Sequence, residues 1–206
     1  MIYKLGNPLL FLVLFFLFAL PNPILGQKHY EEGYVVLNNG DTIIGRIKDR
    51  TPDPFGKLYK KIRFKGKGKS KYGPDEILSY KKGDALYEII SLIDGKGFLS
   101  QDYSIAFDGR NPVFIRVVER GPVNHYLLEF QDADSGYFDH ISYFQKSNGR
   151  ELVRTTQGIF GLRRKRLASL FHDCPLLVDK ILNKELKTSY EVVTFYNTWK
   201  KNQKTY

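Results

Sequence analysis

Cysteine is almost absent from this chain. Cys174 is the only one in 206 residues, so no internal disulfide can form and the fold must hold by packing. Its flanks, Leu170, Phe171, Leu176 and Leu177, mark it as a small buried hydrophobe rather than a nucleophile. Motifs that announce chemistry are missing as well. There is no His-Glu-x-x-His helix, Gly-x-Ser-x-Gly elbow, phosphate-cradling Gly loop or dinucleotide fingerprint. The four histidines, His29, His125, His140 and His172, lack metal-ligand spacing. Asp139 and His140 are adjacent, so on a strand they point to opposite faces and make no dyad. No catalytic residue and no cofactor is nominated, and the chain reads as non-catalytic.

Long apolar runs are also scarce, with one exception at the start. Leu9–Leu20 is twelve apolar residues without a break, following Lys4, and Pro21-Asn22-Pro23 stops a helix there. Gly26 then offers a small residue before Gln27, the pattern of a secretory signal peptide over 1–26. Twelve residues rise about 18 Å as a helix, short of the roughly 30 Å hydrocarbon core. An uncleaved anchor is the rival reading, because Ile24 is not small. No cysteine near the site allows a bacterial lipid anchor. Lys4 is the only charged residue in 1–26, so the formal charge of +10 becomes +9 over 27–206. The expected product is exported to the periplasm, the outer-membrane periphery or the exterior. It is not an integral membrane protein, and 27–206 reads as one domain, with a β-rich body over 27–156 and a helical tail over 157–206.

Between about 33 and 156 the apolar period is two, interrupted by turn residues every eight to twelve positions. Asn38-Asn39-Gly40-Asp41 joins Tyr34–Leu37 to Thr42–Ile47, and Asn-Gly between β-formers is a strong hairpin signal. Lys81-Lys82-Gly83-Asp84 joins 77–80 to 85–90, and further strands are expected at 58–65, 113–119, 123–131, 138–146 and 151–155. Arg120-Gly121-Pro122 and Ser147-Asn148-Gly149 close the later pairs. From about 162 the period becomes three and four. Leu162, Leu167, Leu170, Phe171 and Cys174 can share one helical face, and Pro175 suits the first turn of a second helix ending near Lys187. Thr188 and Glu191 form a capping box for a last helix, with Lys200-Lys201 at its C-terminal dipole end. The fold class is therefore α+β: an antiparallel β-rich roll or sandwich followed by a C-terminal helical tail packed on it.

Basic residues outnumber acidic ones by 32 to 22, and their distribution is uneven. Lys57–Lys71 holds eight basic residues in fifteen positions and no acid, at 57, 60, 61, 63, 65, 67, 69 and 71. Lys61, Arg63, Lys65, Lys67, Lys69 and Lys71 alternate with small or apolar residues. On one extended strand they would form a cationic stripe with side chains about 6.6 Å apart. A solvated edge strand whose lysines deter aggregation is the plainer reading. A second basic cluster, Arg163-Arg164-Lys165-Arg166, opens the first helix. Asp132, Asp134 and Asp139 around Gly136 resemble the opening of a calcium loop but lack the closing Glu, so metal is a weak alternative to a polar turn. The thirty aromatics are expected mainly in the core.

Several segments together resemble a group of exported proteins of Bacteroidota-type bacteria. They are Gly33-Tyr34-Val35-Val36 through Asn39-Gly40-Asp41-Thr42-Ile43 and Gly45-Arg46-Ile47, then Tyr72-Gly73-Pro74-Asp75-Glu76-Ile77. Gly121-Pro122-Val123 before Tyr126, Leu170-Phe171-His172-Asp173-Cys174-Pro175-Leu176, and Tyr196-Asn197 complete the set. The resemblance implies an exported domain covering most of 27–206 and carries no activity, cofactor or catalytic residue. The expectation is a non-catalytic envelope or surface module, binding or structural, that meets an anionic glycan, a lipid head group or an acidic envelope protein through the basic stripe. Nucleic acid suits the charge but not an exported address, and no nucleic-acid motif is present. An exported hydrolase with a site assembled from distant residues is the alternative.

Overall fold

The computed structural model describes residues 30–53, 56–94, 103–106, 112–131 and 138–203. The signal segment 1–26 lies outside them, as do Asp132 and Asp134. Eleven strands are described: β1 (Glu31–Leu37), β2 (Thr42–Asp53), β3 (Gly56–Gly66), β4 (Lys71–Tyr72), β5 (Ile77–Lys82), β6 (Ala85–Asp94), β7 (Tyr103–Ala106), β8 (Pro112–Glu119), β9 (Val123–Gln131), β10 (Phe138–Lys146) and β11 (Glu151–Arg154). A short 3-10 turn, Gly158–Phe160, precedes three helices: α1 (Arg164–Leu170), α2 (Pro175–Leu182) and α3 (Ser189–Gln203). The α+β reading holds, with an antiparallel β body first and a helical tail packed on it.

The first hairpin turns where Asn-Gly stands. Gly40 has φ +90°, a region open to glycine without a Cβ penalty, and Leu37 N–H donates to Asp41 O at 2.8 Å across the turn. The ladder then runs β4-β3-β2-β1-β5-β6-β7-β11-β10-β9-β8, and every pairing is antiparallel. Two further pairings, β6–β8 and β3–β9, close this ladder on itself twice. One ring is β1-β2-β3-β9-β8-β6-β5. The other is β6-β7-β11-β10-β9-β8. They share β6, β8 and β9 as a common wall.

Period two on the shared wall feeds both interiors. Tyr87 of β6 and Phe114 of β8 join Val35, Ile47, Ile62, Phe64, Tyr72, Ile77 and Tyr80 inside the first ring. Their neighbours Leu92 and Ile115 join Tyr126, Leu128, Tyr143 and Leu152 inside the second. Most aromatics whose side chains are described are buried in the core, as expected. Tyr80 stacks on Tyr87 at 4.5 Å between ring centroids and meets Phe114 edge-on at 5.1 Å. The Phe64 ring lies over the directly paired Gly45 and Gly66, where a Cβ on Gly45 would fall 2.4 Å from the Lys65 carbonyl oxygen.

The tail covers the outer face of β9 and β10. Val123 and Phe144 from the sheet meet Leu167, Phe171, Cys174, Leu177, Ile181, Val192, Val193 and Tyr196. Cys174 is fully buried, and burial pushes its thiol pKa up, the opposite of an activated nucleophile. Thr188 caps α3 in the expected box: Glu191 N–H donates to Thr188 Oγ1 at 3.2 Å, and Thr188 N–H donates back to the Glu191 carboxylate at 2.8 Å. The second helix ends at Leu182 rather than near Lys187. Lys184 adopts φ +61° and Glu185 N–H bonds the Lys180 carbonyl, so the chain turns out of the helix there. Two short strands, β4 and β7, were not legible from period; a strand of two or four residues has too few positions to show one.

Candidate functional site

The basic segment does not form one continuous strand. Gly66 ends β3, Gly68 takes φ +103°, and Phe64 N–H donates to Ser70 O at 2.8 Å, so the chain doubles back into β4. Lys61, Arg63 and Lys65 remain on β3, all exposed, while Ile62 and Phe64 between them are buried in the first ring. Lys71 returns directly opposite Arg63 on β4. Lys67 and Lys69 lie in the turn. Lys69 reaches Glu76 at 2.6 Å, and that hydrogen bond raises the lysine pKa and lowers the carboxyl pKa. It is therefore the member of the six whose charge is locally balanced.

What the fold adds is β2. Lys48 stands opposite Arg63, and Arg46 opposite Lys65. One row across the sheet is then Lys71, Arg63, Lys48, and the next is Lys65, Arg46. Neighbouring strands are about 4.8 Å apart and alternate residues about 6.7 Å apart, so a line has become a two-dimensional face. Arg46 pairs with Glu32 of β1 at 3.2 Å and donates to Tyr30 O at 3.0 Å. The Tyr30 ring lies beneath Lys65 Nζ at 4.3 Å, which fixes that ammonium over the sheet. Among the described residues no acid pairs with Lys61, Arg63 or Lys71. Sequence reasoning missed Arg46 and Lys48. The signal was there: both alternate with Ile47, the inward residue of the Asn-Gly hairpin.

The second basic cluster serves the fold instead. Arg164 Nη1 donates to Ile181 O at 2.7 Å, in the last turn of α2, and to Leu186 O at 3.1 Å, in the segment that follows it. Arg166 pairs with Glu151 of β11. Only Lys165 of the four is exposed.

His125 Nε2 lies 2.8 Å from Ser142 Oγ, a base–nucleophile spacing. Both residues are buried, however, at 4% and 6% exposure, and the His125 ring meets Phe144 edge-on. Its Nδ1 has no hydrogen-bond partner. Burial, helped slightly by the charge of His140, lowers the His125 pKa to about 4, so the ring is neutral at physiological pH. Two cavities open at other places on the surface. One of about 620 Å³ opens beside Lys146, Asp173 and Lys200, and one of about 590 Å³ follows Tyr190, Phe195 and Trp199 on α3. Neither includes His125 or Ser142.

Asp173 ties the tail to β10. Tyr196 Oη donates to it at 2.7 Å, with Lys146 at 3.0 Å and Lys200 at 3.4 Å. Burial alone would raise its carboxyl pKa, but the Tyr196 and Lys146 hydrogen bonds and the Lys146 charge outweigh it and hold the group at about 2. Asp139 is exposed on β10, opposite Phe130, and its Oδ1 accepts the His140 backbone N–H at 2.7 Å. Among the described residues no three His, Cys, Asp or Glu side chains are placed to hold a metal ion, and no helix is long and apolar enough to cross a membrane. Compared with protein families, curated proteins and solved structures, the chain shows no significant match to any.

Proposed function

We propose that the protein is a non-catalytic binding module of the cell envelope or cell surface, recognising an anionic partner through the outer face of β2, β3 and β4. The observation that carries this reading is the register that sets Lys71, Arg63 and Lys48 in one row beside Lys65 and Arg46, with the alternating residues committed to the core. A stripe that only discouraged edge pairing would need no second strand of cations beside it. Here β2 lies inside the sheet and still presents Arg46 and Lys48 outward. The notable open edge among the described strands, β4, is two residues long, which offers little backbone for strand addition. Export by the Leu9–Leu20 signal belongs to the same proposal and gives the face an extracytoplasmic partner.

Binding would rest on charge complementarity, so it falls with salt. The test is co-sedimentation of the purified protein with fractionated envelope material at low and high salt. The variant Lys61→Gln/Arg63→Gln/Lys65→Gln is run beside the parent protein, after far-UV circular dichroism confirms that it folds. Loss of binding at high salt and in the variant is expected. Binding that survives both would overturn the reading.

A further inference from the structure

Resting on that reading, we infer that the occupant is a single linear polyanion, an acidic polysaccharide or a chain of like charge density, laid along β3 and held at about five points. Lys61, Arg63 and Lys65 follow one another along the strand, and Lys71 and Lys48 flank Arg63 on either side. Arg46 is left out of the five because Glu32 already engages it. Along the strand the charges are about 6.7 Å apart, so a compact anion reaches two or three of them and leaves the rest unanswered. An extended chain with repeated charges reaches them all.

Curvature argues against the other anionic partners. β2 and β3 belong to a closed ring, and a closed sheet is convex on its outside. A planar lipid surface meets a convex wall along one line, and a rigid acidic protein meets it over a small area. A flexible chain follows the wall. Ile62 and Phe64, the side chains between these cations, point inward, so neither obstructs a path from Lys61 to Lys65. Among the described side chains of β2, β3 and β4, Ile44, 79% exposed, is the one large apolar anchor of the kind a lipid surface rewards.

The test measures binding of size-fractionated oligogalacturonates, one carboxylate per sugar, from the monomer upward, at about 50 and 200 mM salt. Affinity is expected to rise steeply with length until the oligomer spans the face. A flexible polyanion held at five charges has a log–log salt slope of about −3.5, so the parent protein should lose about a hundredfold between the two salts. Lys61→Gln/Arg63→Gln/Lys65→Gln keeps about two contacts and should bind more weakly and lose under tenfold. The charge-matched control Lys165→Gln/Lys184→Gln/Lys187→Gln, three exposed positions on the tail, should behave like the parent. Polyphosphate of matched length, run in parallel, separates a phosphate chain from a carboxylate chain.

Length-independent affinity, equal weakening in the control, or binding only to vesicles of anionic lipid would overturn the inference. If oligomers fail while envelope binding still depends on Lys61, Arg63 and Lys65, this inference falls and the broader reading stands. If both fail, the cationic face is not the binding site.

Discussion

Acidification should weaken this fold, and His125 is where the weakness is built in. The ring is buried, its Nε2 is held by Ser142, and its Nδ1 has no partner to welcome a proton. Its pKa of about 4 lies below the ordinary 6.5. Between those values the unfolded chain binds a proton that the folded one refuses, so stability falls as pH drops through that window. The linkage amounts to about 2 kcal/mol at pH 5 and about 3 kcal/mol at pH 4. Asp173 adds little there, since its loss of stability begins near pH 3.8 and runs down through about 2. Urea unfolding followed by the fluorescence of Trp199 reads the effect, because Trp199 packs against the tail core and is the only tryptophan. The parent protein should lose that stability between pH 7 and pH 4.5. His125→Phe, which cannot take up a proton, should start less stable for lack of the Ser142 bond and show a much flatter profile. If the two profiles have the same slope, or if the His125 imidazole titrates near 6.5 by NMR, the reasoning is wrong.

Two substitutions test how the halves of the fold are held. Asn197, 1% exposed, accepts Val123 N–H at 2.9 Å, donates to Val123 O at 2.9 Å and donates to Glu119 at 2.7 Å. Asn197→Ala strands both backbone groups where β9 begins and should cost about 2–4 kcal/mol in chemical denaturation; a cost under about 1 kcal/mol would show that the clamp is incidental. Gly45→Ala would push a methyl against the Lys65 carbonyl and the Phe64 ring, with an expected loss of about 2–3 kcal/mol. An unchanged unfolding midpoint would mean that the first ring is looser than its packing indicates.

Much of the secondary structure is local and was legible. The Asn39-Gly40 turn, the Thr188–Glu191 box and the alternation through Ile62 and Phe64 depend on residues within a few positions of one another, where dihedral preference and side-chain period act directly. The helical tail was legible for the same reason. The candidate site was legible only in part. Lys61, Arg63 and Lys65 emerged from the alternation of a single strand, but Lys67 and Lys69 went to a turn because Gly66 and Gly68, on either side of Lys67, end the strand and turn the chain. Lys71 kept its place on the face by returning on β4.

Along a strand such as β3 the sequence alone settled which residues face inward and which face water, since that follows from period and burial energetics within the segment. Tertiary structure decided which segments became neighbours. Whether Arg46 and Lys48 joined the β3 cations depended on the β2–β3 register, and whether Arg164 faced solvent depended on where α2 ended. Whether one sheet closed into two rings depended on β6 and β9 each pairing with two partners on one edge. Those outcomes are pairings across dozens of residues, chosen by competition among whole packed arrangements, and no local pattern holds the result of that competition.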